Sequence, residues 1–117
     1  MIEGVGVEIV EVERFNLAIK RWGAPFYKRL FTEDELGYCL SKRDPGPHLA
    51  ARFAAKISFF KATGRSLSFQ DIGVRRDKKG RPSIEFSLKR DDNLSVSLTI
   101  THTSEIAMAV VVAENII

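Results

Sequence analysis

The residues of this 117-residue chain that are suited to chemistry lie in three separate segments. Lys56 and Lys61, whose ammonium groups suit an anion, belong to RFAAKISFFKATG, residues 52–64. Glu8 provides a carboxylate near the N-terminus, and His102 lies in a Thr-His-Thr turn. Each has an ordinary structural interpretation as well, because helical lysines extend their charge to water and turn histidines are commonly hydrogen-bonded. Alone, these residues indicate no particular reaction.

Ile57 raises a narrower question, because it stands directly after Lys56 and one helical turn before Lys61. A helical wheel places it on an apolar stripe with Leu49, Phe53 and Phe60. This pattern favours a core or boundary residue. The alternative is that isoleucine occupies a position where another side chain would meet whatever the lysines meet.

The composition narrows the class of protein. An apolar share of 44% and a charged share of 28% are typical of a soluble globular protein, and the length fits one domain, residues 1–117. Cys39 is the single cysteine, so a reducing cytoplasm is expected. Neither a signal peptide nor a membrane-spanning segment is predicted, since AMAVVVA is too short to cross a bilayer.

The net charge of +3 suits acidic partners. Nucleic acid is not expected, because acidic residues alternate with the basic ones and no aromatic surface interleaves them. The sequence also contains no metal-ligand spacing, no Walker loop and no nucleophile elbow.

Local patterns predict an α+β fold with helices in the first half and most strands in the second. The alternating EGVGVEIV is a strand with Gly4, Gly6 and Glu8 on one face. The predicted helices run from Glu11 to Gly23, from the Thr32–Glu35 capping box, and over 47–63 with Gly64 as the stop. The other predicted strands are 69–74, 83–88, 94–101 and 106–113.

The order of these segments resembles one family along nearly the whole chain, the holo-acyl-carrier-protein synthases, which are small bacterial 4′-phosphopantetheinyl transferases. The resemblance rests on GVGVEIVEVERF, FTEDEL, RFAAK…FFKATG, LSFQDIGVRRDKKGRP and SLTITHTSEIAMAVVV. It implies a small antiparallel sheet packed with a long helix, and a homotrimer with active sites between neighbours. It also implies transfer of phosphopantetheine from coenzyme A to a serine of apo acyl carrier protein, with Mg²⁺, in fatty acid biosynthesis.

The resemblance assigns the catalytic positions to Glu8, Lys56 and Lys61. Glu8 matches an aspartate that binds the metal. The family's Lys-Glu pair supplies a second acidic ligand, and here that pair is Lys56-Ile57. Glu8 is therefore the one metal ligand that the resemblance leaves, and we expect weak Mg²⁺ binding in the absence of coenzyme A.

The resemblance also assigns contacts with substrates. The implied coenzyme A contacts are Phe53, Lys56, Lys61, Gly64, Thr101, His102 and Thr103. Arg14 and Arg21 match a basic face for the acidic carrier protein. After Gly64 this chain reaches Leu67 almost at once, so part of the family's glycine-rich loop is missing. Two hypotheses follow: a transferase with an altered metal site, or a relative that only binds coenzyme A or carrier protein.

Overall fold

The structure is a computed structural model that describes residues 1–65, 67–86 and 93–116. Its helices are α1 (Val12–Trp22), α2 (Ala24–Leu30), α3 (Glu33–Leu40) and α4 (Pro45–Thr63). Its strands are β1 (Ile2–Glu11), β2 (Ile72–Arg76), β3 (Pro82–Phe86), β4 (Leu94–His102) and β5 (Ile106–Asn115). The predicted α+β order is confirmed, although α2 was not predicted. None of the described helices is both long and apolar enough to cross a membrane.

Several predicted boundaries differ from the structure; α4, for example, begins at Pro45 rather than at residue 47. The strand predicted from Phe69 begins instead with a 3₁₀ turn, Phe69–Asp71, which the Ser68 and Asp71 side chains cap before β2 starts. The strand predicted over 83–88 is β3, and its last two predicted residues lie outside the described part of the chain.

The main sheet has three antiparallel strands in the order β1-β5-β4, and β2 and β3 form a separate antiparallel pair. The register places Ala109 of β5 opposite Glu8 on one side and opposite Ile100 on the other. Helix α4 packs across the inner face of this sheet, where β5 presents Ala107, Ala109, Val111 and Ala113. The predicted sheet packed with a long helix is therefore present.

The two glycines of β1 bring that strand unusually close to α4. A Cβ atom at Gly4 would collide with the backbone carbonyl of Ala62, and one at Gly6 with that of Ser58. The Ser58 hydroxyl also donates to the carbonyl oxygen of Ala109, at 3.1 Å. The glycine face of β1 is thus the packed face, and it carries Glu8 to the edge of α4.

The opposite face of the sheet is apolar and open in a single chain. Its exposed members on β1 are Val5, Val7 and Ile9, with 54%, 45% and 58% of their surface accessible. Pairing with β5 sets Val112, Val110 and Met108 opposite them. The polar face of β4, which includes Ser97 and Thr99, continues this surface.

Helix α1 carries apolar residues at helical spacing, Val12, Phe15, Ile19 and Trp22, and buries only part of this stripe. Val12 and Phe15 are buried and Ile19 is half-buried, but Trp22 is 59% exposed. Gly23 ends the helix with φ 69°, as predicted, and Trp22 lies at that end.

Candidate active site

Glu8 and Lys61 form an exposed charged pair at the edge of the sheet. Lys61 reaches from the last turn of α4, and its Nζ donates to the carbonyl oxygen of Val7 at 3.1 Å. The same Nζ lies 3.5 Å from Glu8 Oε1. The side chain of Lys61 is 51% exposed and that of Glu8 is 30% exposed, so a ligand can reach both.

A shallow cavity of about 340 Å³ adjoins this pair. Its lining consists of Glu8, Ile9, Val10, Glu11, Arg14, Phe15 and Phe53. The structure therefore brings together three predicted site residues from three elements: Glu8 from β1, Arg14 from α1 and Phe53 from α4. We call this cavity the Glu8 cleft.

The aromatic wall of the Glu8 cleft is fixed by ring packing. The ring of Phe53 lies 5.2 Å from that of Phe15 and stacks at 5.9 Å on that of Phe69. Such contacts hold an aromatic side chain in one orientation. Phe53 is therefore a preformed surface beside the charged pair.

Arg14 and Arg21 differ in how they are held. Arg14 is 80% exposed, and its guanidinium lies 3.8 Å from the carboxylate of Glu11, three residues earlier. Arg21 lies two turns further along α1, with its guanidinium 5.1 Å from the centre of the Trp22 ring. Both are exposed, so α1 presents two cations to a partner, but only Arg14 lines the cleft.

Ile57 lies on α4 one turn before Lys61 and is half-buried. It belongs to none of the three hydrophobic clusters formed by the described residues, whereas Phe53 and Phe60, from the same predicted stripe, pack against them. The predicted boundary position is confirmed, yet the side chain adds little to the core. It also has no donor or acceptor atom to offer a ligand.

The residues of the Glu8 cleft do not form a site for a resident Mg²⁺. Mg²⁺ requires several oxygen ligands in near-octahedral geometry. Glu8 is already paired with Lys61, Glu11 lies beside Arg14, and Ile57 supplies no oxygen. Within the described ranges, no three His, Cys, Asp or Glu residues are grouped so that they could hold a metal ion.

Lys56 lies away from this cleft and is fully buried. Its Nζ forms a 2.6 Å ion pair with Glu35 Oε1 and donates to the carbonyl oxygens of Leu30 at 2.8 Å and Phe69 at 2.9 Å. Burial lowers the pKa of Lys56, and the carboxylate of Glu35 partly offsets that effect. All three N–H donors of Lys56 are used, so the ammonium has none left for a phosphate in this arrangement.

Glu35 is the functional partner that the sequence analysis missed. The predicted capping box is present, because Glu35 Oε1 accepts from the Thr32 amide at 2.8 Å. Its other oxygen, Oε2, accepts from the amide of Val74 at 2.9 Å. The capping motif indicated the first of these contacts, and nothing in the local sequence indicated the buried pairing with Lys56.

The Thr101–Thr103 segment closes the hairpin between β4 and β5. The Thr103 hydroxyl accepts from the amides of Glu105 at 3.1 Å and Ile106 at 3.0 Å, so it stabilises the turn. Thr101 pairs with Met108, on the open face of the sheet. His102 and Glu8 lie two strands and two register positions apart, which separates their Cα atoms by about 12 Å. A single chain therefore does not bring His102 to the Glu8–Lys61 pair.

A cluster of aromatic and basic side chains that the sequence analysis did not identify lies next to His102 through His48. The ring of His48 lies 4.9 Å from that of His102. The cationic groups of Arg52 and Lys42 each lie 4.4 Å from the centre of the Tyr38 ring. Arg52 is only 2% exposed, yet its Nε and the Nδ1 of His48 are buried without a hydrogen-bond partner among the described residues. Burial, and then the charges of His102 and Arg52, lower the pKa of His48.

Gly64 ends α4, as predicted, with φ 64° and its amide bonded to the carbonyl of Phe60 at 2.9 Å. It is exposed and lies three residues beyond Lys61. The chain reaches the 3₁₀ turn at Phe69 within five residues, of which Ser66 lies outside the described part.

Comparison with known proteins places this chain in a family. Residues 4–111 match the model of the 4′-phosphopantetheinyl transferase superfamily. A holo-[acyl-carrier-protein] synthase from Treponema denticola is 42% identical, over 97% of this chain and 99% of that protein. The structure of the synthase from Neisseria meningitidis has a TM-score of 0.87 at 34% identity, over 97% and 99% of the two chains. That of the synthase from Bacillus anthracis, in complex with CoA (3′,5′-ADP), has a TM-score of 0.85 at 34% identity, over 98% of both chains. The chain therefore belongs to the 4′-phosphopantetheinyl transferase superfamily.

Proposed function

We propose that the protein is a holo-acyl-carrier-protein synthase, which transfers 4′-phosphopantetheine from coenzyme A to a serine of apo acyl carrier protein. The observation that carries this proposal is the Glu8 cleft. It combines an accessible carboxylate that pairs with Lys61, a fixed aromatic wall and an exposed arginine, within a chain that matches the family over residues 4–111. The reaction belongs to fatty acid biosynthesis, and we infer a cytoplasmic enzyme.

The chemistry requires charge neutralisation more than bond-making groups on the protein. The serine oxygen attacks the phosphorus that bears pantetheine, the bond from that phosphorus to the oxygen of the departing 3′,5′-ADP breaks, and the hydroxyl loses its proton. Positioning and charge compensation on the pyrophosphate dominate such transfers. Lys61 supplies a positive charge at the cleft, and Phe53 shapes the wall against which the donor lies.

The Mg²⁺ implied by the resemblance would neutralise pyrophosphate charge if it were bound. The described residues do not form a site for it, because Glu8 is paired with Lys61, Glu11 lies beside Arg14, and no group of three possible ligands is present among them. We therefore assign no step of the reaction to a resident metal ion.

The carrier protein is proposed to dock on α1. Arg14 lies on the rim of the Glu8 cleft, so an acidic partner bound there would present its serine to the cleft. Arg21, two turns away, extends the same basic surface. An interface of this kind gains much of its association rate from complementary charge.

We further propose that the chain acts as a homotrimer with sites shared between neighbours. The open sheet face exposes Val5, Val7 and Ile9, and a contiguous apolar surface of this kind is commonly covered by a partner. The separation of about 12 Å between His102 and Glu8 within one chain fits a site completed by the His102 turn of a neighbour. Light scattering should show a trimer, and a stable monomer at micromolar concentration would contradict this assembly.

The function is tested by incubating purified protein with apo acyl carrier protein and coenzyme A, followed by intact-mass measurement. The carrier protein should gain one phosphopantetheine arm on its serine. If coenzyme A binds but the mass stays unchanged at high enzyme concentration, with and without Mg²⁺, the chain is a binding protein and the proposed transfer is wrong.

A further inference from the structure

The charges of the Glu8 cleft balance before any ligand binds. Glu8 faces Lys61, and Glu11 faces Arg14, so two carboxylates meet two cations. A site that retains Mg²⁺ usually offers an excess of negative oxygen ligands. This cleft has no such excess, and the helix position one turn before Lys61 holds the apolar Ile57.

Lys61 is anchored in a way that makes it a fixed cation. The carbonyl oxygen of Val7 holds its Nζ at 3.1 Å, which leaves donors directed toward Glu8 and the solvent. The contact with Glu8, at 3.5 Å, is long for a charge-assisted hydrogen bond. An incoming phosphate oxygen can therefore form a shorter bond with Lys61 while the Val7 anchor remains.

The same geometry disfavours a metal ion at Glu8. A dication bound to that carboxylate would lie close to the ammonium of Lys61, and the two positive charges repel each other. This repulsion acts on the chain because no second carboxylate stands at Ile57 to compensate for it.

We propose that this chain binds the pyrophosphate of coenzyme A without a divalent cation, with Lys61 as the built-in counter-charge. The proposal rests on the proposed function, since it concerns the same cleft and ligand. It adds that pyrophosphate binding in this chain is independent of metal, because Ile57 supplies no metal ligand and Lys61 supplies the positive charge.

Calorimetric titration of coenzyme A into the wild-type protein, once in excess EDTA and once in excess Mg²⁺, tests the proposal directly. The two dissociation constants should agree within about threefold. Binding that weakens by more than about tenfold in EDTA overturns the proposal. Failure of coenzyme A to bind in either condition overturns the proposed function and this inference with it, whereas metal-dependent binding overturns the inference alone.

Three variants sharpen the result, with folding checked by circular dichroism. Lys61→Met should lose coenzyme A affinity by at least about tenfold in both conditions, and Lys61→Arg should retain it. Ile57→Glu should bind coenzyme A at least about tenfold more tightly in Mg²⁺ than in EDTA, and should show a heat of Mg²⁺ binding that the wild type lacks. If Lys61→Met binds as the wild type does, the counter-charge lies elsewhere and the proposal is wrong.

Discussion

Replacing Lys56 by methionine separates two accounts of this residue, since the resemblance implied a catalytic role and the structure shows a buried ion pair. Lys56 Nζ holds Glu35 at 2.6 Å and two backbone carbonyls at 2.8 and 2.9 Å. Methionine has a similar length but no charge and no N–H donor. Lys56→Met therefore leaves the carboxylate of Glu35 buried, with the amides of Thr32 and Val74 as its remaining hydrogen-bond partners among the described residues.

The expected cost follows from that buried carboxylate. Removing one partner of a buried ion pair typically costs about 3–5 kcal/mol, because the remaining charge is neither solvated nor paired. The side chains of this pair are 0% and 1% exposed, so solvent offers no relief. We predict a loss of about 4 kcal/mol in the free energy of unfolding, a large share of the roughly 5–15 kcal/mol that stabilises a typical domain.

Urea denaturation followed by circular dichroism measures this loss, and Lys61→Met is the matched control on the same helix. The Lys61–Glu8 pair is largely exposed, so the control should lose no more than about 1 kcal/mol. Adding Glu35→Gln to Lys56→Met should restore part of the stability, because the unpaired charge is removed. If Lys56→Met unfolds like the wild type but no longer transfers phosphopantetheine, Lys56 is catalytic and the structural interpretation is wrong.

Three further predictions concern packing, docking and pH. Gly6→Ala should destabilise the protein by roughly 2–3 kcal/mol, because the added methyl group collides with α4. Gly37→Ala, which has open space around its Cβ, should change stability by less than about 1 kcal/mol. Equal denaturation midpoints for the two variants would contradict this packing. Arg14→Glu should weaken carrier-protein binding by roughly 1–3 kcal/mol in calorimetry, whereas the control Arg81→Glu should leave the binding affinity unchanged. Binding by the wild type should weaken as the salt concentration rises. Binding that responds neither to Arg14→Glu nor to salt would argue against docking on α1. The pKa of His48 is lowered below its ordinary 6.5, so the unfolded chain takes up the proton first as the pH falls. The free energy of unfolding should therefore decrease as the pH drops from 7 through 6.5 toward the folded-state pKa. His48→Gln should flatten this pH dependence, and an unchanged slope would refute the assignment to His48.

Much of the fold was predictable because its signals are local. The Thr32–Glu35 capping box and the positive-φ glycines, Gly23 and Gly64, set helix ends through the backbone of their own segment. Alternation likewise gave β4 nearly its full extent, and a continuous apolar run gave β5 most of its length. Such patterns need no knowledge of the rest of the molecule.

The parts that were missed depend on tertiary contacts. The alternation of β1 predicted two faces but not that the glycine face would pack against α4, leaving Val5 and Val7 exposed. The pairing of Lys56 with Glu35 joins residues 21 positions apart in sequence, which no helical or strand period reports. Periodicity alone could not locate these contacts.

The candidate site was predictable to the extent that its residues match a family pattern. Glu8, Lys61 and Phe53 were identified in this way; Glu8 and Phe53 line one cleft, and Lys61 pairs with Glu8 beside it. The cluster of His48 and Arg52 beside His102 was not found, because the beginning of α4 meets the end of β4 only in the folded chain.

Transfer at a site shared between chains is tested most directly by combining two defective variants. Lys61→Met and His102→Ala, co-expressed with different tags and purified as mixed assemblies, are assayed by the mass gain of acyl carrier protein. Each variant alone should be nearly inactive. In a trimer that contains both variants, one of the three shared sites has both intact residues, so the purified mixture should recover about a third of the wild-type rate. A mixture no more active than either variant alone would contradict the shared site.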